Sequence, residues 1–141
     1  MRLLALVLLA LALLGIGTGC TSVHVTRAYN GVRVDGGRRP SATVEVENSG
    51  WFLLTFIPIA SGNPQSPNEV SCRWFSDTVT VSNNIKVLKD VMRRERVTEV
   101  ANLTTHCTDE KYLVFILARR AYHTSAVLLK PEPQSTVESK K

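Results

Sequence analysis

Polar and apolar residues alternate through "ATVEVEN" (Ala42 to Asn48), where Val44 and Val46 stand against Glu45 and Glu47. A period of two marks a strand buried on one face. The pattern predicts a hairpin over Ala42–Pro64, with a turn at Asn48–Gly50 and an apolar strand, "WFLLTFIPIA" (Trp51 to Ala60), beyond it. That second strand is expected to be buried as part of a sheet interior. Pro58 has no N–H to give to a ladder, so the strand should end, bulge or lie at an edge there. Upstream, "VHVTRAYNGVRV" (Val23 to Val34) reads as two short strands about Asn30-Gly31, a pair favoured in two-residue hairpin turns. "DGGRRPS" (Asp35 to Ser41) and "SGNPQSPN" (Ser61 to Asn68) read as loops.

The period changes at "SNNIKVLKDVMRRER" (Ser82 to Arg96). Ile85, Leu88 and Met92 recur at i, i+3 and i+7 beside Val91, with charges on the other side, which predicts an amphipathic helix. Ser82 or Asn83 is placed to cap it, and Arg93, Arg94 and Arg96 suit the negative end of its dipole. Val97–Cys107 then reads as a strand, Thr108–Lys111 as a turn, Tyr112–Ala118 as a strand and Ala121–Lys130 as another. After Pro131 the tail lacks apolar content and is expected to be disordered. Several strands with one amphipathic helix predict an α+β domain, a mainly antiparallel sheet with the helix packed on one face.

The start of the chain follows a different rule. Met1 and Arg2 precede an unbroken apolar run, Leu3 to Leu14, and a small-residue, uncharged stretch, Gly15 to Gly19, the layout of a secretory signal peptide. The run is shorter than the roughly 20 apolar residues that span a bilayer. Gly17-Thr18-Gly19 satisfies the small-x-small rule for ordinary leader removal, which would leave a plainly secreted chain with an unmodified Cys20. With a cysteine directly after it, however, "LLALALLGIGTGCTS" (Leu8 to Ser22) resembles the lipobox of bacterial lipoproteins, whose cysteine becomes the lipidated first residue. Thr18 and Gly19 fit that pattern; Gly17 stands where a large aliphatic residue is usual. The reading is a leader over 1–19, a lipidated Cys20 with a short tether over 20–22, one domain over 23–130 and a tail over 131–141. Two or more acyl chains hold a protein stably where one does so only marginally, at about 0.8 kcal/mol per buried methylene. Enteric lipoproteins retained at the inner membrane commonly carry Asp after the cysteine, so Thr21 favours the outer membrane, facing the periplasm.

The full chain has 141 residues and a formal charge of +5. Losing the leader takes 19 residues and Arg2, leaving 141 − 19 = 122 residues and +4, enough for one domain with a core. A mildly basic exported domain suits anionic polymer or lipid headgroups, with Arg93, Arg94, Arg119 and Arg120 as candidate contacts. Export, and the lack of aromatic residues interleaved with basic ones, exclude nucleic acid. With Cys20 assigned to lipid, Cys72 and Cys107 remain as an even pair in an oxidising compartment. A disulfide between them is expected, worth about 4 kcal/mol on the chain-entropy argument, with two buried free thiols as the alternative.

Catalytic signatures are missing. No P-loop, G-x-G-x-x-G, G-x-S-x-G or H-E-x-x-H occurs. His24, His106 and His123 lack the spacings of metal ligands. His106 and Cys107 are adjacent on an expected strand and so point to opposite faces. The expectation is no cofactor, no metal and no catalytic residue: a membrane-anchored, non-enzymatic domain that meets an envelope protein or an anionic polymer. An envelope stress sensor or assembly partner with a redox-dependent fold is the second reading. An enzyme of unrecognised type is the third, for which clustering of His24, His123 and acidic residues in one pocket would be the cheapest structural support.

Across the mature chain, "VTRAYNG", "ENSGWFLLTFIPIASGNP", "DTVTVSNNIKVLKDVM", "VANLT" and "YHTSAVLLK" resemble a family of small uncharacterised bacterial lipoproteins. The resemblance implies an anchored α+β envelope domain and carries no active residue with it.

Overall fold

Residues 20–27, 38–112 and 116–131 are described by the computed structural model. Among them, the alternation through Val44 and Val46 extends well beyond a hairpin arm. Strand β2 spans Arg38–Leu53, and Ala42, Val44, Val46, Asn48 and Phe52 are all buried along it. Its antiparallel partner over the whole length is β6 (Leu117–Pro131), in a register running from Arg38↔Pro131 to Leu53↔Leu117. The other edge of β2 is shared. Strand β1 (Thr21–Thr26) takes Thr43–Asn48, and β3 (Ile57–Gly62) takes Gly50–Leu53. Beyond them β4 (Cys72–Trp74) pairs with β3, and β5 (Glu99–Tyr112) pairs with β6. The strand order is β4-β3-β2-β6-β5, with β1 beside β2, and every pairing is antiparallel.

Helix α1 (Val81–Glu95) covers one face. Val87, Leu88 and Val91 pack with Val97 onto Ala42, Val44 and Val46 of β2 and Ala126 and Leu128 of β6. Burial of each of the larger aliphatic side chains contributes roughly 1.5–3 kcal/mol. Fully buried Asn84 crosses the interface: its Nδ2 donates to the carbonyls of Val46 (3.3 Å) and Tyr122 (2.9 Å) and to Thr124 Oγ1 (3.1 Å). A second, smaller cluster joins Phe52, Val79 and Ala118, with Tyr122 packed against it. Gly50 permits this approach, since a Cβ there would stand 2.7 Å from Val79 Cγ2.

The expected α+β class, antiparallel sheet and single amphipathic helix are all present. Pro58 lies opposite Phe52 where the register shifts, at one of the places its missing N–H allows. Several boundaries differ for identifiable reasons. Asn48–Gly50 is no turn; it is a buried part of β2, because the Asn48 side chain finds partners inside. Its Oδ1 accepts from Thr21 Oγ1 at 3.0 Å, and its Nδ2 donates to the Thr78 carbonyl. The chain reverses instead at Leu54 and Thr55, with φ of 51° and 71°, closed by Phe56 N–H to the Leu53 carbonyl at 3.3 Å. The tip of the expected buried strand is therefore exposed. Arg38–Ser41 opens β2, and Ser61-Gly62 ends β3, where loops were expected. Thr108–Lys111 stays in β5, paired with Ala118–Ala121, so two continuous strands replace the shorter ones expected there. The helix cap is Thr80, whose side chain accepts the Asn83 N–H at 3.3 Å, not Ser82 or Asn83. The Asn30-Gly31 hairpin turn, the leader over 1–19 and the tail from residue 132 fall outside the described residues.

Candidate functional site

Two places bring chemistry-bearing residues together. The first is a notch on the edge of β2, where β1 begins and β3 ends. Thr21 and Ser22, expected as a tether, are the first residues of β1, and Thr21 is buried. The Cys20 carbonyl accepts the Ser49 N–H at 2.9 Å, and the Cys20 N–H reaches Ser49 Oγ at 3.4 Å. Gly62 closes the notch: a Cβ there would lie 2.6 Å from the Cys20 carbonyl carbon and 2.7 Å from Asn48 Oδ1. Cys20 itself is exposed. Its backbone is fixed to the sheet while its thiol is accessible.

The second place is the sheet face opposite the helix. Antiparallel register puts His24 opposite Glu45, and sets Glu47, His123 and His106 in one row across β2, β6 and β5. His24, Glu45, Glu47, His106, His123 and Ser125 line an open cavity of about 230 Å³. The His106 and His123 rings stack, with centroids 4.7 Å apart and planes 11° from parallel. His123 Nδ1 lies 4.0 Å from Glu47 Oε2, and Arg119 reaches Glu47 Oε1 at 3.6 Å and Glu110 Oε2 at 3.9 Å. Tyr112 donates its hydroxyl to Glu110 Oε2 at 2.6 Å; that bond, with desolvation behind it, holds the phenol above its ordinary pKa. The Trp51 and Tyr112 rings, 5.6 Å apart, close the row toward the end of the sheet. This face offers a half-exposed line of imidazole, carboxylate and guanidinium groups suited to a polar ligand. Among the described residues, no group of three or more His, Cys, Asp or Glu is arranged to hold a metal ion.

No protein-family model, curated protein or solved structure matches this chain. The two sites are therefore defined by geometry.

Other sites expected from sequence are scattered. Cys72 on β4 and Cys107 on β5 are free thiols on the two outermost strands. Four inter-strand spacings of about 4.8 Å lie between those strands, roughly 19 Å. A disulfide needs Cα atoms within about 7 Å, and the two sulfurs are unpaired here. The four arginines do not converge. Arg93 pairs with Asp90 at 3.2 Å, and Arg94 lines a groove of about 220 Å³ between α1 and β1. Arg119 lies on the open face, whereas Arg120 stacks 4.9 Å over the Phe52 ring and donates to the Thr55 carbonyl at 3.3 Å. The histidine cluster was hidden in the sequence by the turn expected at Thr108–Lys111. With β5 running on to Tyr112, the register Tyr112↔Leu117 carries back to place His106 opposite His123.

Proposed function

We propose that this chain is a lipid-anchored domain of the bacterial cell envelope, held to the membrane through Cys20. Its open sheet face, lined by His24, Glu45, Glu47, His106 and His123, is a non-enzymatic surface for an envelope partner. The observation that carries this reading is the coincidence of two boundaries. The lipobox-like segment ends at Cys20, and β1 begins at the next residue, with Thr21 already buried. The outer membrane, facing the periplasm, is the site favoured by Thr21. A redox-dependent assembly partner has less support, because Cys72 and Cys107 stand on opposite edge strands.

The test is intact mass and membrane partition of the chain expressed in a bacterium with its leader. A mass gain of at least a diacylglyceryl group on Cys20, lost in Cys20→Ser together with membrane association, is expected. A mature chain with an unmodified Cys20, or one still carrying the leader, overturns the reading.

A second reading follows from the same cavity. The Glu47–His123 pair resembles the carboxylate–imidazole couple that orients a general base, and Ser125 lines the same space. Turnover of any ester or glycan substrate that is abolished by both His123→Ala and Glu47→Gln would replace the binding role with a catalytic one.

A further inference from the structure

The exposed apolar residues are concentrated at one end of the sheet and along its β4 edge. Phe56 is 70% exposed, Phe75 78% and Val70 98%, and Leu53, Leu54, Ile57, Trp74, Tyr112 and Ile116 are exposed as well. Hydrogen bonds join these segments into one surface. The Leu54 N–H bonds the Ile116 carbonyl at 2.7 Å, tying the β2–β3 turn to the start of β6, and the Phe75 N–H bonds the Ile59 carbonyl at 3.1 Å. Strand directions agree: β2, β4 and β5 run toward this end, and β3 and β6 start from it. Exposed apolar side chains gathered in this way mark a contact surface.

What covers it is indicated by the anchor. Cys20 lies on the same side of β2 as β3 and β4, against Gly62, which pairs with Cys72 of β4. Ser49, which holds Cys20, is four residues up β2 from Leu53, about 13 Å at ~3.3 Å per residue. No flexible linker intervenes, because β1 starts at Thr21. Acyl chains on Cys20 would therefore hold this edge at the membrane surface. The rim also has the composition of an interfacial layer: Trp74 and Tyr112 are amphipathic rings of the kind that settle at headgroup level, and exposed Arg73 stands beside Trp74.

We propose that the sheet end and the β4 edge rest in the interfacial layer of the bilayer that holds Cys20, with Phe56 and Phe75 inserted among the lipids. The histidine-lined face, a broad face of the same sheet, then stands upright beside the bilayer on a body held at fixed orientation. This proposal rests on the lipid-anchor reading, and the experiment separates the two. The full chain, processed in a bacterium, is reconstituted in vesicles of phosphatidylethanolamine and phosphatidylglycerol that contain a lipid with a nitroxide near its headgroup. In a Trp51→Phe, Trp74→Phe background, a single tryptophan is placed at Phe56, Phe75 or, as a control at the opposite end of β5, Leu103.

Emission from positions 56 and 75 should shift to the blue and lose most of its intensity to the nitroxide, with position 103 unaffected. In a Trp51→Phe chain otherwise unaltered, Phe56→Glu and Phe75→Glu, both at exposed positions, should relieve the quenching of native Trp74 without releasing the protein from the vesicles. If the mass shows acylated Cys20 but positions 56 and 75 are unquenched, or position 103 is quenched equally, the docking proposal fails and the anchor stands. Self-association in detergent that Phe75→Glu abolishes, without quenching in vesicles, would put a second copy on the rim and overturn it too. An unacylated Cys20 removes the anchor and the proposal together.

Discussion

The side-chain amide of Asn68 binds Val23 as a neighbouring strand would. Its Oδ1 accepts the Val23 N–H at 2.6 Å, and its Nδ2 donates to the Val23 carbonyl at 3.1 Å. The Asn68 backbone N–H adds a bond to the Thr21 carbonyl at 2.8 Å. One residue thus closes part of the outer edge of β1, the strand that follows the anchoring cysteine, and it does so from a left-handed conformation with φ of 67°. Exposed strand edges invite pairing with other chains, so this clasp protects as well as stabilises.

Two substitutions separate the clasp from the backbone conformation. Asn68→Gly keeps the left-handed turn and removes both side-chain bonds, so it should cost about 1–2 kcal/mol at a net ~0.5–1.5 kcal/mol per bond, offset in part by relieved backbone strain. Asn68→Ala loses the same bonds and also places an alanine at positive φ, adding about 1 kcal/mol. Urea denaturation midpoints should fall in the order wild type, Gly, Ala. An Ala variant as stable as the Gly variant would show that the backbone is not held left-handed.

Asn84 supports a pH-dependent prediction. Asn84→Asp exchanges three donated bonds for a carboxylate facing the Val46 and Tyr122 carbonyls in a fully buried site. Burial raises that carboxyl's pKa in the folded state above its unfolded value of about 3.9. The folded state then binds the proton more tightly, so stability relative to wild type is highest below the unfolded pKa and declines as pH rises toward the folded one. At neutral pH the deficit should be about 3–5 kcal/mol, the cost of an uncompensated buried charge. Asn84→Ala should show a smaller deficit without this pH dependence. Equal Asp deficits at acid and neutral pH would sink the argument.

Where local pattern decides structure, the sequence was readable. Val44 and Val46 set the strand, and the helix was legible from its periodicity, although its buried stripe is Asn84, Val87, Leu88 and Val91, with Ile85 and Met92 partly buried beside it. Where polar groups find partners at long range, it was not. Asn48, Ser49 and Gly50 have turn composition, yet Thr21, Thr78 and Cys20 satisfy Asn48 and Ser49, while Gly50 admits Val79. Leu54 and Thr55 have no turn chemistry, and they make the turn because the flanking strands β2 and β3 are held by β6 and β4. The histidine row depends on register across three strands, which no spacing within one segment encodes.

Arg27, just after β1, pairs with Glu95, the last residue of α1. A carboxylate is unfavourable at the negative end of a helix dipole, and the guanidinium offsets that cost. The hydrogen bond from Arg27 holds the Glu95 carboxyl below its usual 4.5, against an opposing effect of burial. A depressed folded pKa gives stability that is present above the unfolded value and lost as pH falls through the folded one. Thermal unfolding of the wild type should therefore show a destabilising acid limb below the ordinary glutamate range. Glu95→Gln should flatten that limb, and raised salt should shrink the difference because the pair is exposed. Superimposable acid limbs would show that Arg27 and Glu95 do not interact in solution.

The turn at Leu54-Thr55 sets stability against the proposed membrane contact. Both residues have positive φ, an arrangement that two-residue hairpins usually fill with Asn-Gly, and a β-branched threonine is especially ill suited to it. Left-handed backbone costs about 1–2 kcal/mol for an ordinary residue, so the double substitution Leu54→Asn, Thr55→Gly should stabilise the protein in solution by about 1–2 kcal/mol. It also removes an exposed leucine from the rim that Phe56 and Ile57 continue. If that rim lies in lipid, the stabilised variant should sit less deeply, and in a Trp51→Phe background nitroxide quenching of Trp74 should weaken while acylated Cys20 keeps the protein on the vesicle. Unchanged denaturation midpoints would mean that the turn is not strained. Unchanged quenching would mean that Leu54 contributes nothing to the contact, leaving Phe56 and Phe75 to account for it.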